Sequence, residues 1–181
     1  MPDYRRNRVP GGTFFFTVNL RNRISDLLVM RIDVLRDAVR QVRSQAPFHI
    51  DAWVVLPNHM HCAWTLPDGD SDFPKRWHAI KVMFSKSLPF DGTPTAEMAR
   101  RGYRGIWQRG YWEHTIRDDR DYAAHLDYTH FNPVKHGFVA HPADWPFSSF
   151  RRCVARGLYP AEWGGQDSCK EPSETGERWQ R

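Results

Sequence analysis

FHIDAWVVLPNHMHCAWTL, residues 48–66, is the stretch that decides the fold. It contains two runs of β-branched and aromatic residues, 48–56 and 59–66, parted only by Pro57 and Asn58. Strand formers on both sides of so short a turn predict a β-hairpin. Side chains alternate along a strand, so His59 and His61 share one face and Met60 points to the other. Two imidazoles on one face can converge on a divalent ion. Imidazole suits Zn, Mn, Ni or Cu, and Mg becomes possible in a mixed nitrogen and oxygen site. Taken alone, such a pair also reads as two surface histidines, and it lacks the four ligands of a structural zinc.

Outward from the hairpin the elements follow in a regular order. Before it, GGTFFFTVNL (11–20) reads as a first strand. Leu35, Ala38, Val39 and Val42 then recur at helical period between residues 31 and 45, with Arg36, Arg40 and Arg43 on another face. After it, Asp72 is placed to cap a helix that carries Pro74 early and runs to about Leu88. Trp77, Ile80, Phe84 and Leu88 form its inward stripe. Residues 89–105 read as a long loop and 106–116 as a fourth strand, interrupted at Gly110. Asp118 or Asp119 caps a further helix through DYAAHLDYTHF, with Pro133 near its end and Gly137 as a stop. A short helix follows DWPFSSF, and the polar chain from Gly164 onward is expected to be disordered. The order matches the split β-α-β pattern of ferredoxin-like sheets. It predicts an α+β fold: an antiparallel sheet with helices packed on one face and the other face free for a ligand, plus a short C-terminal helix and tail. The predicted division is one domain over 1–150 with a basic N-terminal arm, then a partly disordered extension over 151–181.

Composition narrows the function. At 181 residues the chain is long enough for a real core. No apolar run reaches the ~18 residues of a membrane span, and MPDYRRNRVPGG has no apolar stretch of a secretory signal behind it. A cytoplasmic protein is expected, acting on nucleoid DNA. The three cysteines have no CxxC spacing and read as reduced thiols. The net charge of +5 permits a nucleic-acid partner. Basic residues also cluster: Arg5, Arg6 and Arg8; Arg36, Arg40 and Arg43; Lys75, Arg76, Lys81 and Lys86; Arg100, Arg101, Arg104 and Arg109. One cluster is commonly a solvated face, but four in a small domain favour a phosphate-rich partner.

A second group of chemical residues lies in HLDYTHFNPVKHG (125–137). Asp121, His125, Tyr128, Asn132 and Lys135 are spaced by four, three, four and three, so they form one helical stripe. Such a stripe can simply be solvated. It also sets a nucleophile, Tyr128, one turn from an oxygen ligand, Asn132. Pro133 disfavours the helical region for Asn132, so the helix is expected to end or bend there.

Together these stretches resemble a known family. A basic N-terminus leads into GGTFFFTVNL, followed by AWVVLPNHMHCAW, WQRGYWEHTIRD, YTHFNPVKHGFV and DWPFSSF. In that order and spacing, over residues 4 to 150, the chain resembles the REP-associated tyrosine transposases. These belong to the single-tyrosine HUH superfamily, which mobilises insertion sequences as single-stranded DNA. The resemblance implies that His59 and His61 bind a divalent metal, Mg²⁺ or Mn²⁺, and that Tyr128 is the nucleophile. Asn132 lies where relatives carry a polar metal ligand, often Gln. The implied partner is single-stranded hairpin DNA from repetitive extragenic palindromes, recognised through a short tetranucleotide at the hairpin foot. The implied products are a 5′-phosphotyrosine and a free 3′-OH, which allow rejoining. Arg5, Arg6 and Arg8 are assigned by family analogy to the tetranucleotide. Arg36, Arg40, Lys81 and Lys135 are expected on DNA phosphates, with Trp112 or Tyr111 as candidates for base stacking. A monomer is favoured over a dimer. His125, Lys135 and metal-bound water remain open as the general base, and Tyr122 is the rival nucleophile. Two other readings stay open: a non-catalytic DNA-binding protein on the same fold, and a metal-dependent hydrolase using water.

Overall fold

A computed structural model describes residues 7–89 and 104–165. Arg5, Arg6, most of the expected 89–105 loop and the tail beyond Gly165 lie outside the described residues. The sheet is formed by β1 (Thr13–Asn19), β2 (His49–Val55), β3 (His59–Thr65) and β4 (Trp112–Thr115). Its spatial order is β2-β3-β1-β4, and every neighbouring pair is antiparallel. This is the ferredoxin-like arrangement expected from the hairpin. The helices are α1 (Leu27–Met30), α2 (Ile32–Gln45), α3 (Phe73–Ser87), α4 (Asp119–Lys135) and α5 (Phe150–Ala155). No helix among the described residues is long and apolar enough to cross a membrane.

Alternation along the strands sorts the core. Phe14, Phe16 and Val18 of β1 and Met60, Cys62 and Trp64 of β3 enter one apolar layer. Leu35, Val39 and Val42 of α2 meet them there, with Trp77, Ile80 and Phe84 of α3. Trp64 and Trp77 stack at 4.2 Å, and Phe48 packs on Trp64 at 4.2 Å. Arg76 is buried beside this layer because its guanidinium is satisfied. It donates to both oxygens of Asp70 and to the carbonyls of Ala46, Pro47 and Asp72. Arg76 therefore ties α3 to the end of α2, and its charge is committed to the fold. Asp72 caps α3 as expected, its side chain accepting from the Lys75 N–H at 3.3 Å.

Three sequence expectations change. The opposite face of the sheet is not free: α4 lies across it, with Leu126 and Tyr122 packed on Ala52 of β2 and Ala63 of β3. A helix with polar stripes gives no sign in sequence of which layer it joins. The fourth strand is shorter than 106–116, because only Trp107 bridges to Leu20 before regular pairing starts at Trp112. The helix does not end at Asn132 either. It continues through Pro133 to Lys135, and the His136 N–H returns to the Asn132 carbonyl at 3.0 Å.

A β-bulge explains how α4 docks. Between Ile50 and Ala52 the β2 register slips by one, which leaves Asp51 as an extra residue. Its side chain turns to the α4 face, where it accepts from the Tyr122 hydroxyl at 2.9 Å and the Thr65 hydroxyl at 2.9 Å. Tyr122 is thus fully engaged, and burial first, then Asp51, pushes its pKa up. On the far side of α4, Tyr159 donates to Asp127 at 2.7 Å and His130 pairs with Ser149 at 2.9 Å.

Candidate active site

The site is built at the turn between β2 and β3. The Leu56 N–H bonds the His59 carbonyl at 2.8 Å and closes the turn. His59 and His61 then lie on the α4 face, 8% and 3% exposed, with ring centroids 5.1 Å apart. Each ring is oriented through Nδ1. The His59 Nδ1–H donates to Asn58 Oδ1 at 2.6 Å, while the Asn58 amide nitrogen donates to the Arg23 carbonyl and fixes which end faces the ring. His61 Nδ1 bonds the Thr17 hydroxyl, its cross-strand partner on β1, at 2.9 Å. Both rings therefore present Nε2 as the remaining nitrogen. A metal-binding imidazole is usually held in place by a hydrogen bond at its other nitrogen.

Burial keeps both imidazoles neutral. The His59 pKa is pushed down to about 3, first by burial and then by His136 and Arg23 nearby. His61 is also held well below the usual histidine range, by burial and then by His59, His136 and Lys135. The Asn132 amide opposes this, with the smallest effect, and forms no well-shaped hydrogen bond through Oδ1. Neutral imidazole is the form that ligates metals.

Across the gap, α4 supplies the rest of the stripe. Asp118 caps it, accepting from the Asp121 N–H at 2.8 Å. Tyr128 is 3% exposed, and its ring stands edge-on to His61 at 5.1 Å. Asn132 is fully buried one turn later, and its Oδ1 has no hydrogen-bond partner. A buried, unpaired acceptor beside two neutral imidazoles fits a divalent cation, since all three side chains are more than nine-tenths buried. Lys135 Nζ sits over the Tyr128 ring at 5.4 Å.

Other expected residues fall elsewhere. Arg36 and Arg40 lie on α2, behind the sheet from the histidines, and pair with Asp33 and Asp37. Lys81 on α3 donates to the Gln108 and Gly110 carbonyls and covers the Trp107 and Tyr111 rings. It anchors the segment before β4. Tyr111 packs into the core on Trp77 and Phe16. Trp112 is half-buried on the α4 side, edge-on to Phe15. Arg8 is exposed.

Sequence reasoning missed how His114 and His125 are used. His114 Nε2 bonds Asp121 Oδ2 at 2.8 Å, and His125 Nδ1 donates to the Asp121 carbonyl at 2.8 Å. Arg117 donates to the same carboxylate through its backbone N–H and Nε. Burial would raise the Asp121 pKa, but His114 and Arg117 together hold it below the usual carboxylate range. The ligand atoms of His114, Asp121 and His125 lie within 4.8 Å of one another, a spacing a metal ion can bridge. The ring geometry opposes that use. The two imidazoles stack at 4.6 Å with planes 14° apart, so in-plane lone pairs do not converge on one point. The cluster acts as a latch that ties the start of α4 to β4. The cross-strand pairing of β1 with β4, which sequence does not reveal, is what would have exposed it.

A histidine pair on the central hairpin, facing a tyrosine on a helix laid over the sheet, is the arrangement expected of a single-tyrosine HUH enzyme. No protein-family model matches the chain. Individual relatives do. It is 52% identical over 165 residues to the REP-associated tyrosine transposase of Escherichia coli (strain K12), covering 91% of this chain and 92% of that one. It is 42% identical over 172 residues to a putative REP-associated tyrosine transposase of Haemophilus influenzae (strain ATCC 51907 / DSM 11121 / KW20 / Rd), covering 94% and 97%. A solved REP-associated tyrosine transposase bound to a REP hairpin superposes with a TM-score of 0.79 at 49% identity, covering 97% of this chain and 99% of that one. The chain belongs to the REP-associated tyrosine transposases.

Proposed function

We propose that this protein cleaves and rejoins single-stranded DNA beside a palindromic hairpin, through a covalent link to Tyr128. The observation that carries this reading is the Tyr128 ring 5.1 Å from His61, itself 5.1 Å from His59, all on one buried face.

The phenol of tyrosine has a pKa near ~10, so it attacks phosphorus only with help on both sides of the bond. A divalent cation, Mg²⁺ or Mn²⁺, held by His59, His61 and Asn132, supplies Lewis-acid charge to the phosphoryl oxygens when bound. Lys135 Nζ, 5.4 Å from the centre of the Tyr128 ring, places a positive charge beside the reacting phosphate. The Tyr128 oxygen bonds to phosphorus, the bond to the 3′-oxygen breaks, and that oxygen takes a proton from solvent and leaves as a 3′-OH. The phenolic proton passes to solvent or to a base at the site mouth. A second 3′-OH reverses these steps and releases the tyrosine, so no nucleotide cofactor is consumed. His125 stays a candidate base: its Nδ1 donates to the Asp121 carbonyl, and its buried Nε2 has no hydrogen-bond partner.

The two latches on α4, Tyr122 to Asp51 and His114 to Asp121, hold the tyrosine helix on its own sheet. This favours a site completed within one chain, and hence a working monomer. Affinity for DNA is expected to fall steeply with salt, as phosphate contacts displace counterions.

The test incubates the protein with an end-labelled hairpin strand and Mn²⁺, followed by a denaturing gel. A protein-linked DNA band is expected, absent in Tyr128→Phe and His59→Ala. Cleavage that survives Tyr128→Phe would overturn the proposal in favour of water-driven hydrolysis.

A further inference from the structure

The histidine pair is one end of a file of rings. His136 lies 5.2 Å from His59, Phe138 lies 6.1 Å from His136, and Trp145 stacks on Phe138 at 5.2 Å with planes 28° apart. Phe147 meets Trp145 edge-on at 5.5 Å. The file is rigidly built. The helix α4 ends in a Schellman turn, in which the Gly137 N–H donates to the Val134 carbonyl and the Phe138 N–H to the Pro133 carbonyl, both at 2.9 Å. Gly137 takes φ 71°, a conformation other residues adopt only with strain. Trp145 is pinned from below, its Nε1–H donating to the Val55 carbonyl at 2.9 Å.

On this rigid support Phe138 remains 45% exposed. Single exposed apolar residues are common and mean little by themselves. The position of this one is informative. It stands two ring contacts from His59, at the rim of the reactive centre. Lys135 Nζ lies 5.4 Å over the Tyr128 ring, and the Arg23 carbonyl accepts from the Asn58 amide that orients His59, so two exposed cations border the same rim. A fixed aromatic platform beside cations is the chemistry that holds single-stranded nucleic acid: stacking for a base, charge for its phosphates.

We infer that Phe138 is the stacking platform for the first unpaired base next to the scissile phosphate, with Lys135 and Arg23 on the adjoining phosphates. The inference rests on the proposed function and deepens it. Every base has a π face, so this contact sets the register of the strand over Tyr128 and leaves sequence choice to other residues. The Schellman turn links that register to the tyrosine helix itself, because Phe138 and Tyr128 move as one body.

The test uses the full chain as Tyr128→Phe, which binds without covalent capture. Its affinity is measured by fluorescence anisotropy for a labelled REP hairpin with unpaired flanks, and for the same strand with one abasic site stepped along the flank. One abasic position is expected to weaken binding about tenfold. Adding Phe138→Ala is expected to weaken the intact strand by the same factor and to abolish sensitivity at that position only. Adding Phe138→Trp is expected to retain the sensitivity. Unchanged affinity in the Phe138→Ala protein, or an equal loss on every abasic strand, would overturn the inference and leave the proposed function standing. Failure of the Tyr128→Phe protein and the unmodified chain alike to bind any hairpin would overturn both.

Discussion

On β1, Phe14, Phe16 and Val18 enter the layer beneath α2 and α3, while Phe15 and Thr17 face α4. On β3, Met60, Cys62 and Trp64 go one way, and His59, His61 and Ala63 the other. The first face is mostly packed indole, phenyl and aliphatic side chains. The second is histidine, threonine, aspartate and tyrosine, nearly as buried, held by hydrogen bonds instead of apolar area. Burial serves different ends on the two sides. On the apolar face it supplies stability. On the polar face it strips water from imidazole and amide groups, which keeps two imidazoles neutral and leaves the Asn132 oxygen unpaired.

This contrast can be broken by mutation. Tyr128→Phe is expected to abolish the covalent DNA adduct on a denaturing gel while leaving the thermal midpoint almost unchanged. Trp77→Ala, on the apolar face, is expected to cost about 3–5 kcal/mol in denaturant unfolding. Loss of activity there should follow the loss of folded protein and no more. Thr17→Val removes the hydroxyl that orients His61, with a rate loss of about 10- to 100-fold expected at limiting Mn²⁺. Thr17→Ser should restore most of that rate.

Acid should unfold the protein through its buried histidines. His59, His61, His125 and His130 all have folded pKa values pushed below 6.5, chiefly by burial. The unfolded chain takes up protons below pH 6.5 that the folded chain refuses. Stability is therefore fully present above that pH and falls beneath it, by up to roughly 1.4 kcal/mol per pH unit for each histidine. For His59 and His130 the loss continues down to about pH 3. Urea midpoints measured from pH 7.5 to 4.5 should drop with that slope, and a flat profile would contradict it. The smallest effect expected is from Tyr122→Phe. It removes one hydrogen bond to Asp51, at a cost of about 1 to 3 kcal/mol with the buried carboxylate left short of a partner.

Much of this fold was legible from residues 48–66 and their flanks. A two-residue turn between strand-forming runs, with a helix on either side, allowed few topologies, and period-2 alternation placed both histidines together. The stripe from Asp121 to Lys135 was also legible, because helical spacing depends on nothing beyond the helix. What stayed hidden depends on pairing between distant segments. The Asp51 bulge, the Thr17 contact and the His114 latch each arise from strand register. The face chosen by α4 arises from packing that its mixed polar stripes do not encode. His136 and Phe138 looked like the end of a helix, and only the Schellman turn swings them back to the rim of the site. The arginines of α2 show the same limit: an exposed basic stripe shows on which side of a helix the charges lie, but not which side of the sheet that helix covers.

The central claim is that Tyr128, and no other side chain, carries the DNA. The most direct measurement digests the trapped protein–DNA adduct with protease and nuclease, then locates the residual nucleotide phosphate by fragment mass spectrometry. The fragment spanning residues 121–135 contains both Tyr122 and Tyr128, so the fragment ions must separate them. The phosphate is expected on Tyr128, with Tyr122 unmodified in its bond to Asp51. A phosphate on Tyr122, or cleaved DNA with neither tyrosine modified, would contradict the account.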